Sequence, residues 1–135
     1  EKKVYKKKDS TLLSGILANY FDTGELRQIK TYKNGVLDGP RRVFRKNGKL
    51  QQEGNYNKGE VEGYRRAWND NGILIGERLY KNGAVVGSQK RWYDNGILKS
   101  EISYENGKIN GKAIKYNEEG EITEEKTYIN GKVIN

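Results

Sequence analysis

The chain has 135 residues, with 26 Lys plus Arg against 18 Asp plus Glu, and it contains no His, Cys or Met. The missing His and Cys exclude ordinary zinc, copper and haem sites, His-based catalytic triads, disulfides and thiol nucleophiles. Hydrophobic residues make up 33% of the chain, against about 45–50% in a typical globular domain, so a thick conventional core is not expected.

Residues 1–14 are predicted to form a basic N-terminal segment and a degenerate half repeat. The lysine cluster of this segment is interpreted as a charged edge strand or frayed terminus, with a tether to an anionic surface as the alternative. Because the chain begins at Glu1 and lacks Met, we expect a processed or trimmed product. A removed secretion signal would favour a secreted or cell-envelope location over the cytoplasm. No run approaches the roughly 18 apolar residues of a membrane span, so no transmembrane segment is predicted.

Five tandem copies of a 24-residue unit are predicted to follow, at 15–38, 39–62, 63–86, 87–110 and 111–134. Fifteen of the 17 glycines recur at this period, and ten aromatic residues recur at half of it, from Tyr20 to Tyr128. A disordered chain does not keep glycines and aromatic residues in register, so the repeat indicates a folded protein.

Turn signals divide each copy into two halves. Asn-Gly occurs at seven of the ten turns and favours hairpins, because both residues tolerate positive φ. The segments between turns are about eight to ten residues long and rich in Tyr, Ile, Val and Thr, which is typical of strands. The sequence therefore predicts an all-β fold, an elongated single-layer antiparallel β-meander of roughly eleven strands. A β-bulge is predicted at Gly63, since Val61 and Trp68 are otherwise placed on opposite faces.

The unit Tyr56-x-x-Gly59-x-x-x-Gly63-x-x-x-x-Trp68-x-x-x-Gly72 resembles the MORN repeat, and more closely its bacterial variant. The resemblance covers residues 15–134. It implies β-hairpin repeats, and bacterial members are often described as antitoxins of the YwqK type. Eukaryotic MORN proteins are associated with membranes, phosphoinositides and scaffolding.

Basic residues beside the aromatic series form the candidate binding surface. Arg42 and Phe44 are two residues apart, as are their counterparts in the next two copies, so cation and ring should share one face in every second strand. The predicted binding residues are Arg41, Arg42, Phe44, Arg65, Arg66, Trp68, Lys90, Arg91 and Trp92. The alternative interpretation is a set of solvated charges that prevents aggregation of the sheet.

Acidic residues also recur. Glu53, Glu77, Glu101 and Glu125 could suggest paired catalytic carboxylates. Pairing of strands across the turn places Glu53 near Arg41 and Glu77 near Arg65, to within a residue, so cross-strand ion pairs are the simpler interpretation. Asp70-Asn71-Gly72 and its counterpart in the next copy resemble fragments of calcium loops, but a hairpin turn accounts for each residue. No metal site and no cofactor is predicted.

These features predict a non-enzymatic scaffold that binds another macromolecule, most simply a protein, with the cell envelope as one setting. Two alternatives stay open. One is an antitoxin-like inhibitor of a cognate toxin, which rests on the family resemblance. The other is binding of an anionic lipid, polymer or nucleic acid through the arginine and aromatic series. Nucleic acid is the less favoured of these ligands, because the last copy carries net charge −1.

Overall fold

The computed structural model describes residues 12–135, and these contain twelve strands and no helix. The strands are β1 (Gly15–Tyr20), β2 (Leu26–Lys33), β3 (Val36–Phe44), β4 (Leu50–Asn57), β5 (Glu60–Val61), β6 (Gly63–Trp68), β7 (Leu74–Lys81), β8 (Ala84–Trp92), β9 (Leu98–Glu105), β10 (Lys108–Tyr116), β11 (Ile122–Ile129) and β12 (Lys132–Val133). Within this range there is no helix long and apolar enough to cross a membrane. The predicted basic cluster at the N-terminus lies outside the described residues.

All strands belong to one open antiparallel sheet, in which sequential neighbours pair in meander order. Both β5 and β6 pair with β4. They are two parts of one strand interrupted at Glu62, so the meander has the eleven positions that the sequence predicts. The predicted all-β, single-layer antiparallel meander is confirmed.

The predicted bulge at Gly63 is present and explains the interruption. Its two extra residues leave Val61 on the same face as Ala67, so it does not bring Val61 and Trp68 together, and a separate one-residue register shift lies between Ala67 and Trp68. Pairing between β4 and the returning strand changes from Tyr56 opposite Val61 to Glu53 opposite Arg66, so the returning strand contains two extra residues. Gly63 lies in this segment with φ of 79°. Equivalent two-residue register shifts occur in the pairing of β2 with β3, of β7 with β8 and of β9 with β10. The bulge is therefore a repeated feature of the unit.

The turns lie along the two sides of the sheet at which the strands end, and the two sides carry different turn types. At one edge, which we call the tight-turn edge, both residues of each two-residue turn have positive φ, as in type I′ hairpins. These turns are 34–35, 58–59, 82–83, 106–107 and 130–131. At the opposite edge, the wide-turn edge, the turns are 21–25, 45–49, 69–73, 93–97 and 117–121.

The wide-turn edge corrects one expectation about Asn-Gly. At 45–49, the Arg45 amide donates to the Lys49 carbonyl and the Gly48 amide donates to the Arg45 carbonyl, both at 2.9 Å. This is a type I turn followed by a left-handed glycine, so only Gly48 has positive φ and Asn47 does not. The Asn47 side chain instead accepts a hydrogen bond from the Lys49 amide at 3.0 Å.

Hydrogen bonds join successive turns along the tight-turn edge. The Gly59 amide donates to the Leu37 carbonyl of the preceding hairpin at 2.7 Å. The same bond recurs from Gly35 to Leu13, Gly83 to Val61, Gly107 to Val85 and Gly131 to Ile109. Each copy is thus bonded to the copy before it outside the strand ladder.

Burial is spread thinly over the sheet. Among the large hydrophobic residues described, Tyr32 is the one classed as buried, at 8% exposure. Tyr56 shows the repeated packing arrangement, since it lies opposite Gly39 on β3 and opposite Val61 on β5. Stability therefore comes from cross-strand rows rather than from an enclosed core.

Strand alternation gives the sheet two faces. On β7, Gly76, Arg78 and Tyr80 lie on one face, which we call the groove face together with all residues paired in register with them. Glu77 lies on the other face, which we call the ladder face together with the residues paired in register with it.

Candidate binding surface

The predicted cations Arg42, Arg66 and Lys90 lie together on the ladder face. The register runs from Arg42 to Glu53, Arg66, Glu77, Lys90 and Glu101, each opposite the next on adjacent strands. Charge therefore alternates in sign across six neighbouring strand positions. The spacing of two residues does not carry this register on to Phe44, Trp68 and Trp92, because a one-residue register shift precedes each ring. The rings lie opposite Leu50, Leu74 and Leu98 instead of continuing the cation register.

Ion pairs neutralise this ladder. Arg66 Nε donates to Glu77 Oε2 at 2.7 Å, and its Nη1 lies 3.8 Å from Glu53 Oε1. Arg42 approaches Glu53 at 3.7 Å, and Lys90 approaches Glu101 at 3.8 Å. The cross-strand ion pairs predicted for Glu53 and Glu77 are confirmed, with partners one residue along from Arg41 and Arg65.

The remaining predicted cations, Arg41, Arg65 and Arg91, lie on the groove face. Each is the sequence neighbour of a ladder cation, and strand alternation sends the two to opposite sides. The nine predicted residues therefore do not form one site. Within residues 12–135, none of these three arginines is in an ion pair.

Like charges face each other on the groove face. Arg65 lies directly opposite Arg78, and Lys30 lies directly opposite Arg41. Such cross-strand pairs are unfavourable, whereas the ladder face places opposite charges at its equivalent positions. Arg41 Nε is also buried without a hydrogen-bond partner in the described part of the chain. Positive charge on this face is therefore left largely without compensation.

Gln89 fixes the Arg78 guanidinium. We orient the Gln89 amide so that its oxygen accepts from Arg78 Nε at 3.0 Å and Nη2 at 2.8 Å, while its nitrogen faces the Tyr104 hydroxyl at 3.2 Å. In the opposite orientation, the amide nitrogen of Gln89 would face the N–H donors of Arg78. Gln89 is 7% exposed, so the guanidinium is held by a buried amide rather than left free.

A shallow cavity of about 290 Å³ opens on this face. Its floor includes Gly76 and Ala67, which are direct cross-strand partners. Its polar lining on the groove face is Gln52, Arg65, Arg78, Tyr80, Gln89 and Arg91. A neighbouring cavity shares Arg78, Gln89 and Arg91 and continues toward Ile102, Tyr104 and Tyr116. Together they form one groove that joins guanidinium groups to an aromatic and aliphatic end.

In the last copy, the groove-face cations contact a carboxylate. Glu124, which lies opposite Lys115, is the acidic residue at that end of the groove face. Lys115 contacts it at 2.7 Å and Lys126 at 2.5 Å. Hydrogen bonds from these two lysines lower the pKa of the Glu124 carboxyl to about 2. Glu124 therefore compensates part of the positive charge at this end of the groove face.

The aromatic contacts with cations also differ from the predicted series. Arg66 lies 4.4 Å from the centroid of the Tyr64 ring, Lys99 lies 5.3 Å from Tyr93, and Lys46 lies 5.7 Å from Phe21. All three rings fall outside the 12-residue aromatic series. The periodic aromatics are thus positioned by the repeat, whereas these additional rings pack against cations.

Sequence reasoning missed Arg78, Gln89 and Gln52, which share the groove with Arg65 and Arg91. The sequence signal that could have located the groove is the pair Gly54 and Gly76, because they are the two glycines outside the 24-residue register. Both lie on the groove face, opposite Arg41 and Arg91 respectively.

A profile of the MORN repeat variant family matches residues 13–34, 37–58, 61–82, 85–106 and 109–130. The chain belongs to this family. MORN repeats are generally associated with protein or membrane-lipid interaction. The matched segments have the predicted 24-residue spacing and start two residues before each predicted copy. The predicted copy boundaries stay a prediction.

The other comparisons add no functional information about these MORN repeats. No curated protein matches the chain. Among solved structures, the crystal structure of the GtfA/B complex bound to UDP and GlcNAc is similar to 93% of this chain, at 12% identity and a TM-score of 0.34. The MORN repeat chain spans 26% of that protein chain. A likeness at this TM-score carries no argument about fold or function.

Proposed function

We propose that the protein is a non-enzymatic interaction module that binds an acidic segment of another protein through its groove face. The main observation that supports this proposal is that cations adjacent in sequence differ in ion pairing. Arg42, Arg66 and Lys90 are paired with glutamates, whereas Arg41 and Arg65, one residue away in sequence, have no such partner in the described part of the chain. A partner that brings carboxylates would supply what the groove face lacks.

The lining of the groove favours a protein ligand. Guanidinium groups match planar carboxylates with paired hydrogen bonds, and Gln52 and Gln89 place amides beside them. Tyr104 and Ile102 continue the groove with apolar surface, which suits side chains next to an acidic residue. Such mixed lining is typical of protein interfaces, where aromatic residues and arginine are enriched.

Binding to a membrane surface or nucleic acid is less well supported by this arrangement. Those ligands present phosphates over long distances, and their binding is favoured by cations spread along the whole protein. Here the uncompensated guanidiniums are concentrated on β3, β6, β7 and β8, and the last copy pairs its groove-face lysines with Glu124.

Matched triple variants test the proposal. R41Q/R65Q/R91Q removes three groove-face charges, and R42Q/R66Q/K90Q removes three charges from the adjacent sequence positions on the ladder face. We expect the groove variant to lose about tenfold or more in affinity for a fluorescent peptide of alternating Glu and Ser, which corresponds to about 1.4 kcal/mol. We expect the ladder variant to bind within about twofold of the parent.

Fluorescence anisotropy at fixed ionic strength measures both affinities, with circular dichroism to establish that each variant is folded. The same peptide with Gln in place of Glu serves as the neutral control. Equal losses in the two variants would show that binding follows net charge alone and would contradict a groove-face site. Tighter binding of anionic vesicles or a single-stranded oligonucleotide than of the peptide would favour the other ligand classes.

A further inference from the structure

Gly54 and Gly76 differ from every other glycine of the chain. The fifteen glycines in the 24-residue register have positive φ, between 67° and 124°, whereas these two do not. A left-handed backbone favours glycine because a side chain is strained there. Gly54 and Gly76 have no such backbone reason to be glycine.

Steric crowding does not explain them either. A Cβ atom built on Gly76 would meet Ala67 Cβ at 3.9 Å, and one built on Gly54 would meet Arg65 Cγ at 3.8 Å. Both distances are ordinary van der Waals contacts. In the preceding copy, the position equivalent to Gly76 is occupied by Gln52. The fold therefore accepts a side chain at this position, and glycine leaves the space above it empty.

The empty space lies among the uncompensated guanidiniums. Gly76 is opposite Ala67 on β6 and opposite Arg91 on β8, so small residues form the floor between two strands that carry arginines. Arg65 and Arg78 face each other one pleat along the same strands. The resulting cavity of about 290 Å³ is bounded by all three arginines.

We propose that this cavity is a carboxylate pocket, in which one Asp or Glu side chain of a partner protein is held over Gly76 by Arg65, Arg78 and Arg91. The assignment rests on the proposed function and locates its central contact. An incoming carboxylate relieves the repulsion between Arg65 and Arg78, and Gln89 already orients the Arg78 guanidinium to donate. Pre-organised donors lower the cost of ordering the site on binding.

Filling the pocket without changing charge tests this assignment. Gly76→Gln introduces the side chain that the preceding copy carries at the equivalent position, so the fold should tolerate it. Ser88→Gln is the matched control, since Ser88 lies on the ladder face of β8 opposite Ser103. With the Glu and Ser peptide as the probe, we expect Gly76→Gln to weaken binding at least about tenfold and Ser88→Gln to stay within about twofold.

The result separates two failures. If R41Q/R65Q/R91Q loses binding while Gly76→Gln binds like the parent, the groove face binds acidic protein but the pocket over Gly76 is wrong. If neither variant differs from its control, the proposed function itself fails. Tighter binding of a matched phosphopeptide or of inorganic phosphate, also lost in Gly76→Gln, would overturn the carboxylate assignment in favour of phosphate.

A spectroscopic readout does not depend on any variant. In the parent protein, the Nε–H signals of Arg65 and Arg91 should shift on addition of the peptide, while those of Arg42 and Arg66 should not. Shifts confined to the ladder arginines would contradict the pocket.

Discussion

The groove face and the ladder face are built from the same strands, and adjacent residues of one sequence supply their cations. On the ladder face, Arg66 lies between Glu53 and Glu77, and both carboxylates approach its guanidinium. On the groove face, Arg65 lies opposite Arg78. The repeated glutamates thus neutralise the cations of the ladder face, whereas among residues 12–135 no carboxylate pairs with Arg41, Arg65 or Arg91 on the groove face.

The two faces also differ in how regularly their residues recur from copy to copy. The glutamate of the ladder face recurs in four copies, at Glu53, Glu77, Glu101 and Glu125. The equivalent groove-face row changes from Gln52 to Gly76, Ser100 and Glu124. Residues that recur in each copy maintain the sheet, and the copy-specific residues are free to form a site.

The largest expected effect distinguishes a left-handed glycine of the repeat from a strand glycine outside it. Gly39→Ala should lower the free energy of unfolding by about 2–3 kcal/mol, because φ is +112° and the new Cβ would lie 3.0 Å from Thr31 Cγ2. Gly76→Ala should raise it by about 0.5 kcal/mol, because a strand glycine is replaced without strain. Denaturant unfolding followed by tryptophan fluorescence measures both. A loss at Gly76 similar to that at Gly39 would show that Gly76 serves the fold.

A smaller effect compares removal of one charge from each face. Glu77→Gln should lower the free energy of unfolding by about 1 kcal/mol, because it removes the 2.7 Å partner of Arg66. Arg65→Gln should leave it unchanged or raise it by a few tenths of a kcal/mol, since Arg78 loses its like-charged cross-strand neighbour. Urea titrations at low and high salt provide the measurement. Salt should diminish both effects, and a larger loss for Arg65→Gln than for Glu77→Gln would contradict the unequal charge balance of the faces.

The smallest effect concerns the last copy. The folded-state pKa of Glu124 is lowered from 4.5 to about 2 by hydrogen bonds from Lys115 and Lys126. The folded state therefore binds fewer protons than the unfolded state between these values, and the contribution of Glu124 is present above about pH 4.5 and lost as the pH falls toward 2. Carbon-13 titration of the Glu124 carboxyl should show a midpoint near 2. A midpoint near 4.5 would show that Lys115 and Lys126 do not hold the Glu124 carboxyl.

The sequence was sufficient for the architecture because the period fixes where strands start and stop. Spacing alone located the bulge at Gly63 and the partners of Glu53 and Glu77, since each follows from pairing strands across a turn. The two turn types were less accessible. The same Asn-Gly pair lies in a type I′ turn at residues 34–35 and in a wide turn at residues 47–48, and the hydrogen-bonding register around it decides the backbone conformation.

The groove required information that no single strand contains. Strand alternation in the sequence already separates Arg65 from Arg66, but the approach of Arg78 to Arg65 depends on the register between β6 and β7. Burial of Gln89 next to Arg78 depends on the bulge that shifts the register between β7 and β8. A search for periodicity also passes over Gly54 and Gly76, because their significance is that they break it.

Hydrogen bonds between successive hairpins limit how this protein can vary in size. They are donated by the backbone amides of Gly35, Gly59, Gly83, Gly107 and Gly131. Each bond connects positions 22 residues apart, as from Gly59 to Leu37, so excising one whole 24-residue unit leaves every donor with an equivalent acceptor. A shortened chain would lose two meander positions, about 9–10 Å of sheet. Excising half a unit would place a wide turn where a tight one belongs and leave its amide unbonded. Whole repeat units are therefore the increments by which this protein can be lengthened or shortened without losing these hydrogen bonds.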